Sequence, residues 1–422
     1  MDVSSAFPIS TVSLSSGDIP NGHAFALEDA KRIPRTVEIP LELPDSPVGP
    51  NEALAAELKG RVMEVPNMMI PMAGWPHRER NKHYEEMRNI FNETLDRVIP
   101  DPRRCQKFKD CDFALFSALW WPHAEWEDFY SASFFALWIF VWDDTMDAHD
   151  HDISDDFQKG CRFRQQTVDY VKHCLGLRDE AEGAEPVFPS LACGLFKDFS
   201  GRVVEKFKKD RIQRVYDEIV RYIHECEVEQ ADRLAGYLPT LDEYLENRLG
   251  TSAVFILCGI FELFLEEALP DWVMKSPEMD VIWRETNLGI IIINDILSLK
   301  KEIVVSPPPQ YPSRQTCGMA DSDQVTDCVI SLVPVLYRAG INWEDVIPEL
   351  MEELQAVRTR LDEAAEQLER AARRDTRLLK DLKTYVDVCR TSTTGTYIYT
   401  IESKRYKIAQ DVRADGSVTI FL

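Results

Sequence analysis

From about Asn51 to Tyr406 the apolar residues recur at three- and four-residue intervals, and no run of strands alternates with these segments. HYEEMRNIFNETLDRVI, VEKFKKDRIQRVYDEIVRYIHECEVEQADRL and LMEELQAVRTRLDEAAEQLERAARRD each gather their apolar side chains on one helical face. The lack of strand–helix alternation argues against a parallel sheet, and the class is all-α. The third segment is charged on most of its circumference and reads as a surface helix carrying ion pairs. At 422 residues the chain is long enough to enclose a large core.

The helical pattern sets the expected boundaries. Residues 1–55, rich in proline and serine, read as a flexible arm, residues 56–406 as the helical domain, and residues 407–422 as a tail or a small hairpin around Asp415-Gly416. Two stretches interrupt the helices: an acidic loop beginning at Leu177 and a proline-rich segment over 304–323. The longest apolar run, Ser131 to Trp142, is too short to span a bilayer and ends in aspartates. No transmembrane helix and no secretory signal is expected. Ten scattered cysteines with no CxxC pair suit reduced thiols and a cytoplasmic location. His224 and Cys226 lack a second pair to complete a zinc set and read as ordinary helix residues.

Net charge is −24, from 72 acidic against 48 basic side chains. That excess argues against nucleic-acid or anionic-membrane partners. It also means that an anionic substrate must meet cations concentrated locally.

Two motifs suggest how. Asp143, Asp144 and Asp147 form D-D-T-M-D at the end of a helix containing Phe134, Phe135, Trp138, Phe140 and Trp142. Asp143 and Asp147 fall on one face, and three carboxylates in one turn repel unless a cation sits among them. A solvated acidic helix end is the plain reading of such a string. The aromatic character of the preceding helix favours a metal site, since that helix is unsuited to water. Downstream, LGIIIINDILSLKKE sets Asn294, Ser298 and Glu302 at i, i+4 and i+8, one stripe of a helix buried by its isoleucines. An amide oxygen, a hydroxyl and a carboxylate together suit a hard cation such as Mg²⁺.

The sequence N-D-I-L-S-L-K-K-E resembles the ND(L/I)xSxxKE motif of class I terpene cyclases, and D-D-T-M-D is similar to their Asp-rich motif. The likeness runs from about Pro71 to Tyr406 and implies a class I terpene synthase (isoprenoid synthase) helical bundle around a central apolar cavity. It implies Asp143 and Asp147 as metal ligands on one helix, Asn294, Ser298 and Glu302 on the facing one, and three Mg²⁺ ions around a diphosphate. Asp144 would act behind them. Arg248 matches the family's diphosphate-sensing arginine, Lys301 its diphosphate-contacting lysine, and Arg405–Tyr406 its C-terminal Arg-Tyr pair. Two departures stand out: Tyr399 where the family often has tryptophan, and Thr251-Ser252 where other members carry residues that trigger ionisation.

The resemblance thus implies a microbial, fungal-like sesquiterpene cyclase that ionises farnesyl diphosphate and cyclises the cation to a hydrocarbon or alcohol. Phe116, Trp120, Phe135, Trp138 and Trp142 are candidates to face the cation, or else plain core. A chain-elongating prenyl diphosphate synthase shares the fold but normally carries a second Asp-rich motif at the position of Asn294 to Glu302. An inactive helical partner protein would tend to lose at least one ligand. The expected partner is a small prenyl diphosphate, with a homodimer left open.

Overall fold

Pro50 opens the first helix of the computed structural model, which describes residues 50–147, 153–178, 186, 189–303 and 329–422. This helix, α1 (Pro50–Leu58), precedes a short strand, β1 (Val62–Val65), and lies partly inside the segment expected to be arm. Then come α2 (Tyr84–Val98), α3 (Pro102–Cys111), α4 (Phe113–Trp120) and α5 (Trp126–Asp147). Asp101 caps α3 by accepting from the Arg104 N–H, with Pro102 at the first turn. Asp112, at φ +50°, ends α3 in the left-handed region and caps α4 through Leu115 N–H.

Helix α5 is apolar on nearly every side and is correspondingly enclosed. Around it and beyond follow α6 (Phe157–Cys174), α7 (Phe196–Lys206), α8 (Lys209–Leu234), α9 (Leu241–Thr251) and α10 (Val254–Ile260). A capping box between Thr240 and Glu243 starts α9. After the short α11 (Asp271–Met274) runs the long α12 (Pro277–Ile303), then α13 (Leu332–Arg338), α14 (Trp343–Ala372) and α15 (Thr376–Glu402). Helix α12 packs along α14 and α15, α15 along α4, and α5 along α7, which brings α5 and α12 to opposite sides of one interior space. The all-α expectation holds.

Several details differ from the expectations. Helix α14 is not merely a charged surface helix. Leu350, Leu354, Val357, Leu361, Ala365 and Leu368 recur at three- and four-residue steps and are fully or almost fully buried. The charges occupy the remaining arc, where Arg360 pairs with Glu285 and Glu353. A circumference rich in charge conceals an apolar stripe when the stripe is narrow. His224 is exposed and Cys226 buried on α8, so they point apart and form no metal pair. The loop from Leu177 lies mostly, and the proline-rich segment wholly, outside the described residues.

One stretch among the described residues, Leu241–Phe264, is long and apolar enough to cross a membrane by length and composition. Two thirds of that window (67%) is inside the fold, and the chain breaks at Ala253 with φ +61°. It is core. The eight described cysteines are free thiols.

The C-terminal tail is ordered. A tight turn closes between Arg413 and Ser417, with one bridge from Val412 to Val418. The final strand, β2 (Val418–Phe421), then pairs antiparallel with β1, Val62 opposite Phe421 and Val65 opposite Val418. The alternation seen in the sequence therefore serves mainly a long-range pairing rather than a self-contained hairpin.

Helices α4 and α15 touch at Gly395, where a Cβ would stand 2.8 Å from the Leu119 carbonyl oxygen. Alanine gains about 1 kcal/mol of helix propensity, but overpacking against backbone costs typically ~1–3 kcal/mol. Gly395→Ala should therefore lower unfolding free energy in urea; a stabilised variant would mean that the two helices can separate freely.

Candidate active site

At 100° per residue, α5 presents two faces about 120° apart near its C-terminal end. Phe135, Trp138 and Trp142 lie on one, packed into the core: Phe135 stacks on Phe199 at 4.0 Å, Trp138 meets Phe196 at 5.1 Å and Trp142 meets Phe163 at 6.2 Å. Ala136, Ile139, Phe140 and Asp143 lie on the other and line a cavity of about 160 Å³. Three of the five aromatic candidates are thus core, while Phe116 and Trp120 reach the cavity from α4. Phe140, Tyr222 and Tyr399 join them.

Asp143 accepts a hydrogen bond from Tyr222 Oη at 3.2 Å. Burial pushes its carboxyl above the usual carboxylate range, against the pull of Arg405 and of the Tyr222 hydroxyl. Asp144, one residue on, turns to α3, where Arg104 holds one carboxylate oxygen through Nε (2.9 Å) and Nη2 (2.6 Å). The adjacent aspartates therefore do different things, one lining the cavity and one bracing the helix. Asp147 belongs to α5, but its side chain is outside the described residues.

Across the cavity, α12 contributes Ile290, Ile291 and Asn294. Asn294 Oδ1 accepts from Arg248 Nη2 at 2.9 Å, and its Nδ2 donates to Tyr406 Oη at 3.3 Å. One amide thus joins the arginine of α9 to the tyrosine after α15. Asp295, only 2% exposed, takes Arg248 through Nε (3.2 Å) and Nη2 (3.1 Å), the Tyr244 hydroxyl, and Leu332 N–H (3.0 Å). A carboxylate so buried needs these donors. Ser298 is buried one turn below Asn294, Lys301 is half-buried in the last turn, and the Glu302 side chain is outside the described residues.

Helix α9 ends at this cavity for a visible reason. Asn287, fully buried on α12, donates to the Leu249 carbonyl at 2.8 Å and accepts from Ser252 Oγ at 2.6 Å. Ala253 then turns left-handed before α10 resumes, a conformation that costs a non-glycine residue ~1–2 kcal/mol. Gly250 lets the end of α9 approach α8, since a Cβ there would fall 2.2 Å from Glu225 Cγ. Thr251, Ser252 and Ala253 consequently line the cavity beside Arg248.

The polar end of the cavity contains groups that lack partners. Arg405 Nε–H is buried without a hydrogen bond, as is Thr251 Oγ1. The Arg405 guanidinium lies over the rings of Phe113 (5.9 Å), Phe140 (5.8 Å) and Tyr406 (6.0 Å), and among the described residues no carboxylate pairs with it. An unsatisfied buried donor typically costs ~1–3 kcal/mol, and an anion at the cavity mouth would relieve that cost. Among the described residues no three His, Cys, Asp or Glu side chains converge on one point. Among the described residues the cavity offers the oxygens of Asp143 and Asn294, with Ser298 one turn further along α12, a mixed set of the kind that suits hard Mg²⁺-like ions.

Sequence reasoning missed four contributors: Tyr222, Glu229, Asn287 and Ala253. Glu229 sits on α8 two turns after Tyr222 and feels Arg248, Asp143, Arg233 and Asp295 electrostatically. Burial of the carboxyl among protein groups raises its pKa to about 7 even though the residue as a whole is exposed. Tyr222 and Glu229 share an α8 face, a period-seven signal that the ordinary amphipathic pattern hid. Nothing local marks Asn287 or Ala253.

The family model described as terpene synthase family 2, C-terminal metal binding, matches residues 135–323. The sesquiterpene cyclase hepA of Aspergillus oryzae is 29% identical over 388 residues, 89% of this chain and 97% of that protein. A 4-epi-cubebol synthase of Streptosporangium roseum, described as (2E,6E)-farnesyl diphosphate cyclizing, is 19% identical over 247 residues, 57% of this chain and 69% of its own. The solved structure of germacradien-4-ol synthase from Streptomyces citricolor covers 77% of this chain and 96% of its own, with a TM-score of 0.59 at 17% identity. At such low identity the structural likeness speaks for the fold. Fold and site together define an isoprenoid-synthase helical bundle with a metal-binding half. The chain is a terpene synthase lyase similar to the microbial sesquiterpene cyclases.

Asp143 and Glu229 both hold protons to a higher pH than free carboxyls. A divalent cation favours their ionised forms, so its binding near pH 6.5 should release protons and tighten as pH rises. Titration calorimetry in buffers of different ionisation enthalpy reads this release directly. Glu229→Gln should reduce it, and buffer-independent heats in the unaltered protein would contradict the assignment.

Proposed function

We propose that this cyclase ionises farnesyl diphosphate with Mg²⁺ and closes the resulting cation to a cyclic sesquiterpene hydrocarbon or alcohol. The carrying observation is convergence: Asp143 from α5, Asn294 from α12, Arg248 from α9, and Arg405 and Tyr406 after α15 meet at the polar end of one apolar cavity. Supporting it are the names of the relatives, a sesquiterpene cyclase and an enzyme described as cyclizing farnesyl diphosphate.

The reaction breaks the bond between the terminal allylic carbon and the diphosphate oxygen, and the electron pair leaves with the diphosphate. Asp143 with Asp147, and Asn294 with Ser298 and Glu302, would hold the cations, three in number, which supply Lewis-acid neutralisation of the leaving group. To offer its Oδ1, Asn294 must give up the Arg248 Nη2–H, which then turns to a phosphate oxygen. Asp295 keeps its grip on the Arg248 base, so the reorientation is small. Arg405 brings its unpartnered Nε–H, Tyr406 its hydroxyl and Lys301 its ammonium to the same group. Phe116, Trp120, Phe140 and Tyr399 present ring edges and faces to the allylic cation while excluding water. Tyr399 is held by its hydroxyl, which donates to the Cys111 carbonyl at 2.8 Å, so its ring is fixed much as a tryptophan would be.

Chain elongation is not favoured, because α12 offers an amide and a hydroxyl where a second Asp-rich motif would stand. The free thiols support a reducing, cytoplasmic setting.

Incubation with farnesyl diphosphate and Mg²⁺, followed by gas chromatography of an organic extract, should give a cyclic C15 product. Longer prenyl diphosphates, or untouched substrate, would overturn the proposal. Asn294→Ala and Asp143→Asn should each lower kcat by at least about 10³-fold with the circular dichroism spectrum unchanged. Turnover within tenfold of the unaltered enzyme in either variant would remove that residue from the metal site.

A further inference from the structure

The two lysines of the N-D-I-L-S-L-K-K-E segment have different surroundings. Lys300 turns away from the cavity and donates to Asp411 Oδ2 at 3.0 Å, with both side chains largely covered (27% and 22% exposed). It lies two residues from Ser298 and two from Glu302, about 200° around the helix from each. Its partner belongs to the short 3₁₀ turn Ala409–Asp411, five residues beyond Tyr406.

That turn begins a segment fastened at many points. Ile408, Val418 and Ile420 are fully buried. Tyr397 Oη donates to the Gly416 carbonyl at 3.1 Å, and Asn67 Nδ2 to the Asp415 carbonyl at 2.9 Å. Gly416 has φ +83°, and a Cβ there would fall 2.4 Å from Asn67 Nδ2, so glycine is needed for this seat. Arg413 pairs with Glu64 at 2.9 Å, and strand β2 completes the two-stranded sheet with β1 and lies against α12. Gly60 N–H reaches the last carbonyl, that of Leu422, at 2.8 Å. The tail thus connects β1, the Arg405–Tyr406 segment and the metal-motif end of α12.

We propose that residues 407–422 form a strap that holds the last turn of α12 in register with Arg405 and Tyr406, and that Asp411 is a positioning residue for the second metal-ligand set. The proposal rests on the reading that Asn294, Ser298 and Glu302 hold a cation. It assigns Lys300 to the strap. The physical need is plain. The last turn of a helix has no further turn to hold its carbonyls, so it frays unless tied. A ligand set spread over Asn294, Ser298 and Glu302 loses its geometry if that turn opens.

The test uses the full chain with Asp411→Asn, Lys300→Gln, and the reversed pair Lys300→Asp with Asp411→Lys. Amide hydrogen exchange is followed over residues 298–303 and 403–408, and binding of inorganic diphosphate in the presence of Mg²⁺ is followed by calorimetry. Each single variant should exchange about fivefold faster in both segments and bind Mg²⁺–diphosphate about fivefold more weakly, the scale of one partly screened ion pair. The reversed pair should recover most of both effects, which a general loss of stability would not allow. Unchanged exchange in both single variants overturns the strap, and faster exchange with unaltered affinity overturns the positioning role. If the unaltered protein itself fails to bind Mg²⁺–diphosphate, the metal-site reading falls instead, and the exchange rates alone then decide whether the strap exists.

Discussion

A buried carboxylate that faces away from the substrate space fixes the geometry on which this cyclase depends. Asp295 draws Arg248 from α9, the Tyr244 hydroxyl from the same helix and the backbone of Leu332 at the start of α13 onto α12. With its donors in place, such a group is strongly directional, and leaving any of them out would strand charge in a low-dielectric interior. The consequence is that Arg248 and Asn294 cannot drift relative to each other. Asn294 in turn contacts Tyr406, so a single network sets the spacing between the Arg248 end of α9 and the segment after α15.

The charges of the site are unevenly paired within the same arrangement. Among the site carboxylates, Asp295 is neutralised by Arg248 and Asp144 by Arg104, while Asp143 lines the cavity and Glu229 lies outside that lining, both carboxyls pushed upward by burial. Arg405 provides the opposite imbalance, a buried guanidinium without a carboxylate among the described residues. Raised carboxyls favour a cation nearby, and the Arg405 Nε–H, which has no hydrogen-bond acceptor, favours an anion. A metal–diphosphate complex satisfies both requirements together, which neither component does alone.

How much of this was legible in the sequence depends on the range of the interaction. Helix identity and the i, i+4 relation of Asn294 to Ser298 are local and were readable. Which face of α5 meets the cavity was not, because the helix is apolar all round and no amphipathic pattern distinguishes Phe140 from Trp138. The break at Ala253 arises from Asn287, far along the chain, so no turn residue announces it. Tyr222 and Glu229 were overlooked because α8 looks like any amphipathic helix until its neighbours are known. The tail was read as either hairpin or loose end, and it proved to be a strand whose partner lies near the beginning of the helical domain. The apolar stripe of α14 was masked by the charges that flank it.

The central claim is that α5 and α12 aim oxygen ligands at one metal–diphosphate complex. Crystals grown with Mn²⁺ in place of Mg²⁺ and with inorganic diphosphate test it most directly, since anomalous scattering locates the cations independently of any pocket model. We expect metal peaks at about 2.0–2.2 Å from Asp143 and from Asn294 and Ser298 oxygens, with the diphosphate between them and within reach of Arg248 and Arg405. Peaks bound elsewhere, or a diphosphate lying outside this cavity, would contradict the account.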